Sequence, residues 1–486
     1  MKPLMPNEIQ GTSEPRFAGP ALDAHIIEKL ATVGCPAAID EPTRRDAGRD
    51  WWPLSIGWAA QGSPATLPGI VLRPRHQADV EAIVAICHDS ATPLTVQAGR
   101  SGVVGGAIAP TGGVALDLTD LTAIVAQDDD SGWITVGAGL SGPDLEAHLA
   151  RTGRTVGHFP QSFDISTVGG WVACRGAGQM SNRYGKIEDI IRGLRVVTAT
   201  HGVLHLGDRA PRSSVGPDLM GLFVGSEGTL GVITEVTLAT WPVAESRQQA
   251  AYSFASVAEG NEACRRILQR GAHPAVLRLY DEVESKRNFD LDDCALIVLD
   301  EGDPLTVAAH MAIVDDECAG ATVRDAALVD KWLGHRNDVS ALAPLWERQI
   351  VVDTIEISGR WSQLADLHRE VSAAVAAVPG TLLVSVHQSH AYLDGRACTS
   401  PSRAVPRRPS PTTAPCGTPR REPPWRRAAR SATTMASVET VRVSCPRLLA
   451  PPSACCRRSR MTSIRVTSLT PACWDWEEHR GKGSRY

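Results

Sequence analysis

No stretch of this 486-residue chain approaches the ~20 consecutive apolar residues that a membrane-spanning helix needs, and the first residues, MKPLMPNEIQGTSEPRF, contain no apolar core of a leader peptide. A cytoplasmic protein without a transmembrane segment is therefore expected. Metal-ligand spacing is missing too: Cys35, Cys87, Cys174, Cys264, Cys294 and Cys318 are scattered with no CxxC pair, which suits a reducing compartment and gives no metal site. Positive charge is scarce before position 396, with 31 Lys+Arg against 49 Asp+Glu, so nucleic acid is excluded as the natural partner. No internal repeat stands out. What remains is a long chain, 43% hydrophobic, able to bury two sizeable cores.

Three glycine-rich segments dominate it: TVQAGRSGVVGGA at 95–107, STVGGWVACRGAG at 166–178 and GSEGTLGVITE at 225–235. Each sets glycines and small hydroxyl residues beside a short apolar run, the composition of a backbone loop that passes close to a ligand and turns with positive φ. A buried anion needs donors, and main-chain N–H groups supply them without side-chain bulk, so the loops fit a phosphate-bearing cofactor. A single loop of this kind also reads as a plain turn between strands; three in one order do not.

Around them the pattern alternates. GIVLRP, residues 94–97, VALDLTDLTAI and GWITVGAGLS read as strands, and residues 77–88 and GPDLEAHLARTG as helices, the latter stopping at Gly153. Past Pro242, the helices SVAEGNEACRRILQRG and DPLTVAAHMAIVDDECAG alternate with the strands AVLRLYD and CALIVLD, giving a sheet with helices on one face. The fold class is α+β.

The three loops in this order, with GHFPQSFDISTVGGWVACRGAGQMSNRYGKIEDI, resemble the PCMH-type FAD domain of the vanillyl-alcohol oxidase superfamily, nearest the alkyldihydroxyacetonephosphate synthases and their bacterial FAD-linked oxidase relatives. The resemblance runs from about Trp51 to about Gly395. It implies a two-subdomain FAD-binding domain followed by an α+β cap that selects the substrate. Boundaries are expected to give a lead-in at 1–63, the FAD domain at 64–245, an incomplete cap at 246–395 and a tail at 396–486. By resemblance, Ala98, Gly99, Arg100, Ser101, Gly102 and Val103 wrap the diphosphate. Pro160, Ser162, Ser166, Thr167, Gly169 and Gly170 form the second contact, extended by Arg175, Gly176 and Gly178. Glu227, Gly228, Gly231, Val232 and Ile233 lie along the adenosine and ribityl parts. Some relatives attach flavin through a histidine in the first loop; Val103 stands at that position, so FAD is expected to be non-covalent.

The resemblance implies hydride transfer from a small 2-hydroxy acid or alcohol to flavin N5. Arg278 is a candidate to pair with a substrate carboxylate or phosphate, with an internal salt bridge as the alternative. His387, His390 and Tyr392, at alternate-face spacing on a strand, are candidates for lining the site and moving the proton, with plain packing as the alternative. An ether-lipid synthase-like transferase and an inactive FAD-binding chain are the rival functions. A homodimer is allowed.

After Gly395 the chemistry of the sequence breaks. Residues 396–486 hold 18 Lys+Arg against 5 Asp+Glu, 12 of the 33 prolines, and no Phe, Asn or Gln, the composition of a disordered basic tail. Joining the third base of each codon to the first two of the next lets residues 395–401 be reread as Ala-Cys-Leu-Tyr-Phe-Thr-Phe and 431–439 as Leu-Ser-His-His-His-Gly-Val-Gly-Arg. Residues 462–475 permit Ile-His-Pro-Arg-Asn-Ile-Leu-Asn-Pro-Gly-Val-Leu-Gly-Leu in the same frame. The family's His-His-His-Gly and Asn-Pro-Gly segments thus reappear in order. The single codon of Met435 fixes the turn from His to Gly, so a one-nucleotide loss near codon 395 is expected.

Overall fold

The computed structural model describes residues 13–404 apart from 18, 208–215, 339–344 and 346–349. All of them belong to one compact unit. The expected tail from 405 onward, with the reread histidine and Asn-Pro-Gly segments, lies outside the described residues.

Three short helices lead in: α1 (Ala24–Ala31), α2 (Glu41–Ala47) and α3 (Pro53–Ala60). Asp23 and Asp40 cap the first two by accepting from the amides of His25 and Thr43, and Pro53 opens the third where its missing N–H costs nothing. The first sheet follows in the order β1-β2-β4-β3, formed by β1 (Ala37–Ala38), β2 (Ile70–Leu72), β3 (Leu94–Gln97) and β4 (Val114–Asp117). Strands β2, β4 and β3 run parallel, and α4 (Gln77–Asp89) crosses between β2 and β3, turning Val80, Ile83, Val84 and Cys87 onto the sheet. Both elements lie within two residues of their sequence reading.

The second sheet is antiparallel, β5-β6-β10-β8-β9, from β5 (Ile124–Asp128), β6 (Trp133–Gly137), β8 (Ile191–Thr198), β9 (Gly202–Leu206) and β10 (Val232–Ala239). The pair β7 (Arg154–Thr155) and β11 (Trp241–Pro242) stands beside it. Helix α5 (Gly142–Leu149) is capped by Ser141, and the chain leaves its last turn through Gly153 at φ 67°, as its sequence position implied. With α6 (Val168–Ala173), α8 (Ile187–Ile190) and α9 (Met220–Phe223) it buries Leu145, Leu149, Val168, Val172, Ile187, Ile190 and Phe223 against the sheet. The four-residue α7 (Ser181–Tyr184) lies between α6 and α8.

From Ser246 a third sheet begins, in the order β15-β12-β14-β13-β18-β19-β16 with β17 against β19. Its strands are β12 (Ser246–Phe254), β13 (Val276–Tyr280), β14 (Cys294–Gly302), β15 (Thr322–Arg324), β16 (Val351–Arg360), β17 (Thr381–Val384), β18 (His387–Ala391) and β19 (Gly395–Ala404). Alternation along them divides two cores. Tyr252, Leu277, Leu279, Leu296 and Val298 pack under α10 (Val257–Gln269) and α12 (Pro304–Glu317). Val276, Ala295, Ile297 and Leu299 face the other way, onto α13 (Ala327–His335) and onto Met180 and Tyr184 of the FAD-domain side. The expected single helical face is thus corrected. Strand β14 is buried along its whole length, so both faces need a cover.

Helix α7 is the joint between the two halves. Arg183 reaches Asp300 at 3.4 Å, the Tyr184 hydroxyl donates to Glu301 at 2.9 Å, and Asn182 accepts from the amide of Ala391 at 3.1 Å. Both acids lie at the end of β14 and are themselves buried. Strand β19 also revises the expected boundary at 395/396: it pairs with β16 on one edge and with β18 and β17 on the other as far as Ala404. The nine residues after Gly395 are therefore inside the sheet, held by main-chain bonds that do not depend on side-chain polarity.

Candidate functional site

The three glycine loops meet. A Cβ on Gly99 would stand 2.3 Å from the carbonyl oxygen of Ile165, so the first loop touches the second so closely that only glycine fits. Gly106 faces the carboxylate of Glu227 in the third loop, 3.5 Å from where its Cβ would be. The third loop is tied to the end of α6, with Gly225 and Glu227 donating to the carbonyls of Val172 and Ala173. Between these contacts Gly102 borders open space, with nothing within 4 Å of a built Cβ.

Several side chains in these loops are already committed. Arg100, at φ 52°, turns its guanidinium away to Asp46 at 2.7 Å, so its side chain is removed from the expected anion contact and its place in the loop is a backbone one. Ser166 Oγ accepts from the Trp171 indole at 2.7 Å and Thr167 Oγ1 from the Gly170 amide at 3.3 Å; each keeps its hydroxyl proton to donate. Pro160 and Ser162 accept the turn bonds from Phe163 and Ile165. Arg175, half-exposed, pairs with Glu188 at 3.2 Å. Gly169 packs on Ala138, Gly176 and Gly178 lie against His158, and Gly231 packs on Val196. The side chains of Val232 and Ile233 belong to the two cores, so those positions line no cofactor with their side chains. Ala98 packs partly into the β2–β4 core, Ser101 is half-buried, Gly228 sits at φ 77° against Val96, and Val103 is 47% exposed.

A second cluster forms where β13 and β18 face α7. Arg278 on β13 and His387 and His390 on β18 are the half-buried positions among fully buried neighbours, and the three lie close enough for the charge of Arg278 to act on both histidines. Residues three apart on a strand ordinarily face opposite ways; a register shift between Gln388 and His390 puts the two histidines together. His390 Nδ1 and the Tyr392 hydroxyl each lie 3.1 Å from Ser181 Oγ. His387 Nδ1 is held by the Glu284 carboxylate at 3.1 Å, and Glu284 is held in turn by Arg287 at 2.9 Å. The Arg278 guanidinium lies over the rings of Tyr280 and Trp332, and its buried Nε has no hydrogen-bond partner. Among the described residues no carboxylate comes within ion-pair distance of it, so the salt-bridge alternative is set aside. Burial, followed by the charge of Arg278, pushes His390 down to about 3; His387 is also lowered by burial and Arg278, against the opposing pull of Glu284.

Residues 68–207 match the family described as FAD binding domain, and residues 243–409 match FAD linked oxidases, C-terminal domain. The chain carries both of these domains, in this order. Alkyldihydroxyacetonephosphate synthase of Dictyostelium discoideum is 32% identical to this chain over 232 residues, covering 47% of the chain and 38% of the relative. D-lactate dehydrogenase of Anaerostipes hadrus is 33% identical over 179 residues, covering 37% and 38%. A solved alkyldihydroxyacetonephosphate synthase superposes with a TM-score of 0.71 at 23% identity, over 82% of this chain and 80% of that one, which is a likeness of fold. The chain spans well under half the length of these two curated relatives. FAD is the cofactor of its domains.

The residues of these domains fit that group. Gly102 borders open space in the first loop, and in the second and third loop regions both ring nitrogens of His158 and the Ser226 hydroxyl are buried polar atoms without partners. Among the described residues no cluster able to hold a metal is present and no helix is long and apolar enough to cross a membrane. Sequence reading missed His158, Ser181 and Ser226. His158 was visible only as a lone histidine in GHFPQS; its enclosure comes from Trp171, whose ring lies 4.8 Å away.

His158 carries a stability prediction. Burial alone drives its pKa from 6.5 to about 3, so the fold favours the neutral ring. That stability is present above the unfolded value and is lost as pH falls from about 6.5 toward 3, with a slope of up to about 1.4 kcal/mol per pH unit. His390, also pushed down to about 3 by burial, and His387 contribute to the same slope. Urea unfolding at stepped pH should show this acid slope, and His158→Phe should reduce it without abolishing it. An unchanged slope would mean that the ring is solvated.

Proposed function

We propose that this chain belongs to a dehydrogenase or oxidase of a small 2-hydroxy acid or alcohol with non-covalent FAD. The observation that carries the reading is Arg278: a half-buried cation near two histidines, with no carboxylate within ion-pair distance among the described residues. A substrate carboxylate seated there would form a charge-assisted pair. Bound FAD supplies the hydride acceptor, N5. The chain's own part is to hold the substrate carboxylate at Arg278 and to receive the hydroxyl proton on an imidazole nitrogen. An anion at Arg278 cancels the charge that depresses His390 and so makes that ring a better base as substrate arrives. Glu284 fixes the orientation of His387 in the same way that a carboxylate orients a catalytic histidine.

The test is anaerobic mixing of the holoprotein with D-lactate, glycolate and longer 2-hydroxy acids. Bleaching of the oxidised flavin band is expected with at least one. Bleaching by none, together with exchange of an acyl group for a fatty alcohol, would favour the transferase named in the first relative. Denaturant or acid should release all the flavin, since Val103 offers no nucleophile; flavin that stays with the polypeptide would refute the non-covalent assignment.

The rival of an inactive chain is supported by β19. Arg396 there is 2% exposed, bonded to the carbonyls of Leu277 and Gln388 but to no carboxylate among the described residues, with its Nε unpartnered. Pro401 pairs opposite Thr354 on β16 and falls in the gap between the pairings of β19 with β18 and with β17, so its missing N–H is tolerated there. Restoring one base in codon 395 permits Ala at 396 and an apolar, aromatic strand after it. We infer that the sheet is built for that frame.

A further inference from the structure

Behind the first glycine loop lies a buried acid that none of these roles uses. Asp50 is 1% exposed and stands between α2 and α3. Its Oδ1 accepts from the Trp52 amide at 3.1 Å, its own amide donates to Ser55 Oγ at 3.4 Å, and Oδ2 is buried without a partner. The amides of Ala107 and Gly105, at the far end of the loop, point toward the carboxyl without closing a hydrogen bond on Oδ2. The same lead-in segment holds the loop elsewhere. Gln97 Nε2 bridges the carbonyls of Ala47 and Ala107, the Trp51 amide donates to the Arg100 carbonyl, and Arg100 pairs with Asp46.

We propose that Asp50 is a positioning residue for the diphosphate loop and takes up one proton when FAD is seated. The inference rests on the assignment of residues 98–106 to the diphosphate. The charged groups around Asp50 are few. The loop presents Arg100, already engaged by Asp46; α2 presents Asp46 and Arg49, paired with each other at 2.9 Å; α3 and residues 61–66 present none. On the loop's opposite side Glu227 lies against Gly106. Burial has already pushed the Asp50 carboxyl up to about 7, against the pull of the Trp52, Ala107 and Gly105 amides and of Arg100. A dianion on the other face of the loop competes for those amides and adds like charge, and both effects favour the neutral acid. A group whose pKa rises on binding makes binding tighter at low pH and weaker as pH climbs past its free-protein value.

The full chain, freed of flavin, is titrated with FAD by fluorescence from about pH 6 to about pH 9, alongside Asp50→Asn and Asp50→Ser. Wild-type Kd should rise about tenfold per unit above about pH 7. The variants should bind at every pH as tightly as wild type does at the acid end. Calorimetry of the wild type near pH 8, in two buffers of different protonation enthalpy, should count about one proton taken up per FAD. A flat wild-type Kd, an equal slope in a folded variant, or no proton uptake would each overturn the proposal, and the proton count needs no variant to fold. Gly102→Val tests the underlying assignment separately. Its side chain enters open space, so the protein should fold but lose FAD; retention of FAD would overturn the loop assignment itself, whereas a flat pH profile with FAD lost in Gly102→Val overturns only the role of Asp50.

Discussion

Replacing Arg278 by Ala in a frame-restored protein is expected to lower kcat/KM for a 2-hydroxy acid by about one to two decades, the worth of a charge-assisted contact of about 1.5–3 kcal/mol. Stability should change little, because no carboxylate lies within ion-pair distance of Arg278 among the described residues, and Glu284, which feels its charge, keeps Arg287 and His387. The lost stacking on Tyr280 and Trp332 is a minor term beside the lost substrate contact. A second signature separates a substrate-binding role from a structural one. Arg278 holds the pKa of His390 down, so without it His390 titrates at higher pH and the acid limb of the pH–rate profile should move upward. Arg278→Lys keeps the charge without the fork and should recover part of kcat/KM and leave the acid limb in place. Unfolding without a kinetic defect, or an acid limb that stays where it was in Arg278→Ala, would assign Arg278 to structure.

The glycine loops and the main helices were legible in the sequence because their signals are local. Ser256 and Asp303 cap α10 and α12 where the sequence places a polar residue before an apolar period. What the sequence did not disclose depends on residues far apart. The fate of Arg100 is set by Asp46, 54 positions away, and a guanidinium in a loop gives no hint of which way it will turn. His387 was legible as a candidate but its partner Glu284, 103 positions away, was not. The bulge between Gln388 and His390 belongs to the pairing of β18 with β19, so alternate spacing alone did not disclose how the two histidines come near each other. Helix α7 is too short to carry a periodic signal, yet each of its four residues bonds across to the cap. The second covered face of the cap sheet was hidden for a related reason: a strand buried on both sides reads only as a continuous apolar run.

Restoring one base in codon 395 is expected to produce the largest change of all, because it alters both a buried strand and everything after it. In the chain as written, β19 encloses Arg396 among the carbonyls of Leu277 and Gln388, the Asn261 side chain and the Trp361 ring, with no carboxylate partner among the described residues. An enclosed charge without a counter-ion costs several kcal/mol, and Ala at 396 removes it. The aromatic and apolar residues that follow in the restored frame suit a strand bounded on both edges. The gain should appear as a rise in Tm of several degrees, at roughly 2–4 °C per kcal/mol for a domain of this size. The written sequence after 404 is basic and free of apolar periodicity, so limited trypsin should strip it first and leave the FAD domain with its flavin. The restored chain should resist cleavage there and bring a histidine triplet to the protein that the written one lacks. Equal melting temperatures and identical tryptic patterns for the two forms would show that β19 is at ease with Arg396 and that the reading frame as written is the working one.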